Sequence, residues 1–308
     1  MQSRLPFRKQ KINRIGKLEV KIFGKSLNRK QEMNLRAGVR ALIQVIFFIL
    51  APSIFTSAFS GVKYLFTTIG MREIVEVNAF IKVLLGLLLY TIIFGRFFCG
   101  YACAFGSMGD LFRYAYKSFC KKLKKKPISI SKKVTPALRY IKYIVLFAIV
   151  LTCFLGAYGK TAGYSPWDVF SMMRAGNFAF SNYIPALVLL VLIIIGMCLE
   201  DRFFCRFLCP MGAVFSMMPI LPFFTITRKR ENCIKGCNAC NNNCIADVQL
   251  ADSDKYEVRG ECFQCNKCVG VCPKQNIHTK IPKLRGYEIW FVALRALILF
   301  AFMKALGI

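Results

Sequence analysis

The chain has 308 residues, 56% of them hydrophobic, with 29 Phe, fifteen Cys, one His and a formal net charge of +29. A single histidine excludes a Ser/His/Asp triad separate from the cysteine-rich segment that holds it, and a haem held by two histidines. The absence of a G-x-G-x-x-G or P-loop sequence excludes the commonest nucleotide-binding loops, and beyond the charge itself nothing supports nucleic-acid binding.

In chain order, residues 1–40 hold twelve Lys or Arg and read as a basic cytoplasmic segment. Ala41–Val62 is uncharged, and about 20 apolar residues span a bilayer core as a helix. The block begins after residue 40 without a small-residue cleavage site, so it reads as a span rather than a removable signal peptide. Ala79–Phe98 is the second predicted span; Lys82 and Arg96 lie near its ends, where such side chains snorkel to the interface. Tyr143–Gly159 and Asn177–Leu199, both uncharged, are the third and fourth. Residues 99–140 carry ten Lys or Arg, including "KKLKKK" at 121–126, whereas 63–78 contain only Lys63 and Arg72, and 160–183 only Lys160 and Arg174. Positively charged loops stay in the cytoplasm. The N-terminus, 99–140 and everything after residue 200 are therefore expected inside, in a multi-pass protein of the cell (inner) membrane. None of the cysteines falls in a predicted outer loop, and in a reducing compartment dense cysteine reads as metal binding rather than disulfide.

The membrane part is written twice. Arg96, Phe97, Phe98, Cys99, Cys103 and Gly106 return as Arg202, Phe203, Phe204, Cys205, Cys209 and Gly212, at a constant offset of 106 residues. Both copies enter from the same side, which implies a parallel repeat with its axis along the membrane normal. Residues four apart share a helix face, so Cys99 with Cys103, and Cys205 with Cys209, are expected to face one another across that axis. Four soft sulfur ligands suit an iron–sulfur cluster or zinc; packing by small interfacial residues is the alternative. Arg96 and Arg202 are either inner-face anchors or electrostatic supports for a negatively charged cluster. Pro210 would help end or bend its helix, and Gly106 and Gly212 would allow close backbone approach. Cys120, Cys153 and Cys198 have no partner at ligand spacing.

The strongest signal is "CFQCNKCVGVCP", which sets Cys262, Cys265, Cys268 and Cys272 in the C-x2-C-x2-C-x3-C-P order of two-cluster ferredoxins. Upstream, "CIKGCNACNNNC" supplies Cys233, Cys237, Cys240 and Cys244, with three residues rather than two in its first gap and Ile245 in place of proline. The crossover rule gives Cys233, Cys237, Cys240 and Cys272 to one [4Fe-4S] cluster and Cys262, Cys265, Cys268 and Cys244 to the other. His278 reads as a surface residue. The tail 287–308 is long enough to span, yet Arg295 sits mid-run; a fifth span and an interfacial helix both remain open. In the outer loop 163–178, Trp167, Asp168 and Arg174 form either an interfacial belt or a docking surface for a quinone or an extracytoplasmic partner.

With both C-x-x-x-C repeats and the double ferredoxin run, residues 40–280 resemble the membrane-bound 4Fe-4S ferredoxin-type proteins of the NapH/NosR/CcoG kind. That group has C-x-x-x-C-P in both copies; here Cys209-Pro210 matches and Cys103 is followed by Ala104. The resemblance implies electron transfer between a cytoplasmic donor or the quinol pool and partner redox proteins, with a separate flavoprotein as one candidate. It also implies a second role, in copper reduction or delivery. A redox-sensing regulator is a third class, for which no signalling domain is seen. The expected architecture is a membrane α-helical bundle of two repeated hairpins, four or five spans, with a cytoplasmic ferredoxin-like α+β domain. Its expected parts are 1–40 (basic segment), 41–229 (membrane domain), 230–283 (two-cluster domain) and 284–308 (tail helix).

Overall fold

The computed structural model describes residues 21–22, 25–26, 29–130, 134–177, 183–248, 250, 260–279 and 287–307. Most of the basic segment 1–40, several residues of the outer loop, and residues 249, 251–259 and 280–286 lie outside them. Two short strands, β1 (Lys21–Ile22) and β2 (Lys25–Ser26), pair antiparallel. Then come α1 (Arg29–Leu50), α2 (Ile54–Gly70), α3 (Ala79–Phe94), α4 (Phe97–Tyr101) and α5 (Ala104–Lys122). The second half follows with α6 (Thr135–Leu138), α7 (Ile141–Phe154), α8 (Pro166–Arg174), α9 (Ile184–Leu199), a π-helical turn at Phe204–Leu208 and α10 (Pro210–Met217). The remainder comprises β3 (Ile226–Arg228), α11 (Ala239–Asn242), α12 (Lys267–Val271), β4 (Ile277–Thr279) and α13 (Glu288–Ala305).

The block Ala41–Val62 is not one helix. α1 starts twelve residues earlier, at Arg29, and stops at Leu50; α2 resumes at Ile54. Pro52 accounts for the break, because it donates no N–H and turns the preceding residue away from helical angles. α2 then runs on to Gly70, so half of the stretch read as an outer loop is helical. Lys63 is accommodated by its ammonium lying 5.1 Å from the Phe59 ring centre and 4.8 Å from that of Tyr158. α3 begins cleanly, with the Asn78 side chain accepting from the Ile81 amide at 3.0 Å.

Cys99 and Cys103 do not share a helix face, contrary to the i, i+4 expectation. α3 ends at Gly95, and the chain bends by 94° into α4 and α5. Cys99 lies within α4, whereas Cys103 is the extended residue before α5. The second copy does the same with a π-helical turn, and Cys209 precedes α10. The i, i+4 rule assumes an uninterrupted helix, and both copies are interrupted.

By length and composition, two helices are long and apolar enough to cross a membrane, 30–50 and 135–154, and the bent pair 79–94 with 97–122 would be a third. α9 is as apolar but has only 16 residues, about 24 Å of helix against a core of about 30 Å. Leu42, Ile49, Leu85, Phe147 and Leu192 all stand exposed on the outside of these helices. Such a belt is a liability in water and a requirement in lipid. α13 belongs to the bundle: Glu288 meets Arg36 and Phe300 meets Phe47 of α1, while the Arg295 carbonyl accepts from Tyr90 of α3. α13 thus runs with α1, and its mid-run arginine faces inward.

Candidate metal centres

Despite the broken helices, the four membrane-side thiols converge. Cys99, Cys103, Cys205 and Cys209 are all buried, and each sulfur interacts electrostatically with the other three. The two residues that open the following helices share one backbone geometry, φ −69° with ψ 123° at Cys103 and φ −69° with ψ 115° at Cys209. Pro210 therefore follows the end of one helical turn, at Leu208, and serves as the first residue of the next helix, a position that suits proline.

The arginines cross over. The Arg202 guanidinium of the second half lies on Gly106 of the first and donates to the Cys99 and Gly100 carbonyls, the latter at 2.9 Å. Arg96 of the first half lies on Gly212 of the second, where an added Cβ would stand 3.2 Å from its Nη2 and 3.0 Å from the Cys205 carbonyl. Each arginine shares a carboxylate with a cation from the helix that opens a half. Arg202 binds Asp110 (2.6 Å) beside Arg40 of α1 (2.6 Å). Arg96 binds Glu261 (3.0 Å) beside Lys142 of α7. Burial works against ionisation of Glu261, but Arg96 and then Lys142 hold its carboxyl below the usual range. Asp110 and Glu261 are members of the site that motif spacing missed.

The C-terminal cysteines form two further sets. One pocket is lined by Cys233, Cys237, Cys240 and Cys272 together. Arg228 donates to the Cys240 sulfur at 3.1 Å and the Asn276 side chain to that of Cys233 at 3.5 Å. In the second set, Cys268 interacts with Cys265, Cys262 and Cys244. Burial pushes the Cys262 thiol up to about 12, with the neighbouring Cys265 adding to it, and raises Cys244 as well. A bound cation reverses this preference and takes the thiolates. The altered spacing of the first run leaves a local symmetry intact. The Val248 amide donates to Cys244 (3.4 Å) as the Asn276 amide donates to Cys272 (3.3 Å), and each follows a residue with positive φ, Asp247 and Gln275. Ile245 thus fills its place without proline. β3 and β4 close the domain, Arg228 opposite Ile277, and half-buried His278 stands opposite Thr227.

The second set is docked on the membrane site. The Phe263 carbonyl lies against Gly100, where any side chain would collide with it, and the Phe263 ring sits 4.8 Å under the Arg96 guanidinium. Gln264 and Asn266, both at positive φ, are buried; the Asn266 Nδ2 donor has no partner, as expected beside a group with acceptors of its own, while the Gln264 Oε1 and Asn266 Oδ1 acceptors are also unpaired. Among the described residues no three His, Cys, Asp or Glu converge on one point as a single metal ion requires. A cubane takes its thiolates at separate corners, and three sets of four sulfurs with cations nearby fit that group.

Comparison with known proteins agrees with this chemistry. Residues 79–127 and 183–230 each match a family described as a 4Fe-4S binding domain, and these two stretches contain the two C-x-x-x-C pairs. An uncharacterized protein of Methanocaldococcus jannaschii is 30% identical over 242 residues, 77% of this chain and 92% of that protein. The putative electron transport protein YccM of Escherichia coli is 27% identical over 196 residues, 62% of this chain and 52% of it. The ferredoxin-type protein NapH of Haemophilus influenzae is 22% identical over 219 residues, 68% of this chain and 70% of it. No solved structure matches.

Proposed function

This chain belongs to the family of membrane-bound ferredoxin-type 4Fe-4S electron-transfer proteins, and on that premise we propose that its twelve motif cysteines hold three clusters in series between the cytoplasm and the bilayer. Cys233, Cys237, Cys240 and Cys272 hold the outermost. Cys262, Cys265, Cys268 and Cys244 hold the next, and Cys99, Cys103, Cys205 and Cys209 the membrane one. When bound, such clusters accept and release single electrons without making or breaking bonds, so no general acid or base is needed.

The residues do three things along this route. The loop of Cys233 and Cys237 is partly open to water and offers the point of exchange with a soluble redox protein. Phe263 and Gly100 press the second set against the third, which keeps the tunnelling gap short. Beyond the membrane cysteines, Phe105 and Phe204 (ring centres 5.0 Å apart) lead to Trp167 of α8, 6.1 Å from Phe204. This supports an acceptor or donor at the far end of the bundle, a quinone or an extracytoplasmic partner. The charge asymmetry of the loops supports a cytoplasmic N-terminus and cysteine domain.

The observation that carries the third centre is the convergence of four buried thiols from two halves of a repeat, flanked by exchanged arginines. Replacing Cys99 and Cys205 together by Ser tests it. Anaerobically purified protein is expected to lose about a third of its iron and sulfide, one cubane of three, and one EPR signal with it. Unchanged iron would show that the membrane thiols are not ligands.

A further inference from the structure

Arg295 stands in the middle of α13 with no exposed surface, and none of its three guanidinium nitrogens has a hydrogen-bond partner. Every other buried arginine among the described residues has one. Arg96, Arg113, Arg202 and Arg206 each pair with a carboxylate, and Arg228 donates to the Cys240 sulfur. The Arg295 cation is flanked by the rings of Phe97 and Phe291, each centre 4.6 Å from its guanidinium carbon. The acidic groups in its electrostatic reach are Tyr101, Tyr90 and Cys262, and Tyr101 in turn faces Cys265.

An unpaired buried charge costs several kcal/mol. Two aromatic faces offset part of that cost but leave the guanidinium N–H donors without acceptors, and the two tyrosines are neutral at ordinary pH. What remains is the cysteine set beside it. Four thiolates around a cubane carry net negative charge, and their sulfurs accept hydrogen bonds. Arg228 already plays this part for the outermost set.

We propose that Arg295 is the counter-ion of the cluster held by Cys262, Cys265, Cys268 and Cys244, approaching it from the bundle side and raising its reduction potential. This rests on the assignment of those four cysteines to a 4Fe-4S cluster. A positive charge in a dry site favours the reduced state, which carries one more negative charge. The tail helix is thereby part of the redox machinery, and Arg295 is a positioning and tuning residue.

The test uses the full-length protein in lipid nanodiscs without oxygen, as wild type, Arg295→Met and Arg295→Lys. Iron and sulfide per chain are measured first, and EPR-monitored redox titrations follow. In Arg295→Met one cluster is expected to change its oxidised-to-reduced ratio at fixed potential at least tenfold, a shift of about 59 mV or more to the negative for a one-electron couple. The other signals stay in place. Arg295→Lys retains the charge and most of the potential. With arginine-specific ¹⁵N labelling, pulsed EPR of the wild type is expected to show nitrogen coupling at that cluster, and Arg295→Lys to lose it. Unmoved midpoints in fully loaded Arg295→Met overturn the proposal. If Arg295→Met fails to load, coupling that survives in Arg295→Lys overturns it. A wild-type protein lacking the second ferredoxin-type cluster would instead refute the assignment beneath it.

Discussion

At the scale of single residues, the membrane site depends on two carboxylates in a chain where acids are scarce, 15 Asp and Glu against 44 Lys and Arg. Asp110 accepts from Arg202 at Nε (3.0 Å) and Nη2 (2.6 Å), and from Gln44 at 2.7 Å. Asp110→Asn keeps the shape and removes the charge, leaving Arg202 buried against its neighbours. Breaking such a pair costs about 3–5 kcal/mol when fully buried; Asp110 is a quarter exposed, so about 2–3 kcal/mol is expected after discounting for solvent screening. The measurement is the temperature at which cluster absorbance bleaches, which falls in Asp110→Asn and is largely restored by Asp110→Glu. The cysteines proposed as ligands were legible because sulfur at fixed spacing has few other uses. The carboxylates were not, because the repeat carries no mark of them. The position matching Asp110 is Ser216, and Glu261 comes from another part of the chain altogether. An acid beside a cysteine motif in so basic a chain was the one available signal.

At the scale of elements, the repeat was legible but its geometry was not. Hydropathy located apolar segments near residues 41–62, 79–98, 143–159 and 177–199. It could not show that Pro52 divides the first, or that α2 lies between α1 and α3 and α8 between α7 and α9. Nor could a spacing of four distinguish two cysteines on one helix from two on either side of a break. The second arrangement is the more useful. A single helix holds both sulfurs on a convex surface, whereas a turn followed by a helix N-terminus presents them from two directions. The same break exposes the Gly100 backbone to Phe263. Gly100→Val is therefore expected to leave iron content near wild type while pushing the second and third cysteine sets apart. In stopped-flow reduction from the cytoplasmic side, the membrane signal should then lag the other two. If all three signals still rise together, this contact does not set the route.

At the scale of the whole molecule, the controlling quantity is the distribution of +29 charges about an apolar bundle. "KKLKKK" closes α5, and Lys121, Lys122, Lys124, Lys125 and Lys126 are all exposed. Moving one such charge through a membrane held at 100 mV costs about 2.3 kcal/mol before desolvation is counted. Five together support the proposed placement of this end of the bundle on the cytoplasmic face. The cysteine domain is bound to the same end, since α1 packs on α12 and Arg96 and Lys142 both reach Glu261. Topology and redox polarity are therefore one property: reversing the insertion would move the soluble electron port to the other side. Limited trypsin digestion of oriented vesicles measures this directly. Inside-out vesicles are expected to be cut early at 121–126, near the repeat boundary, while right-side-out vesicles keep that link intact and are cut only at outer sites such as exposed Arg72. Lys63 is held between two aromatic rings and should resist in both. Cleavage at 121–126 only in right-side-out vesicles would place the clusters outside, and a cytoplasmic donor would then have no access to them.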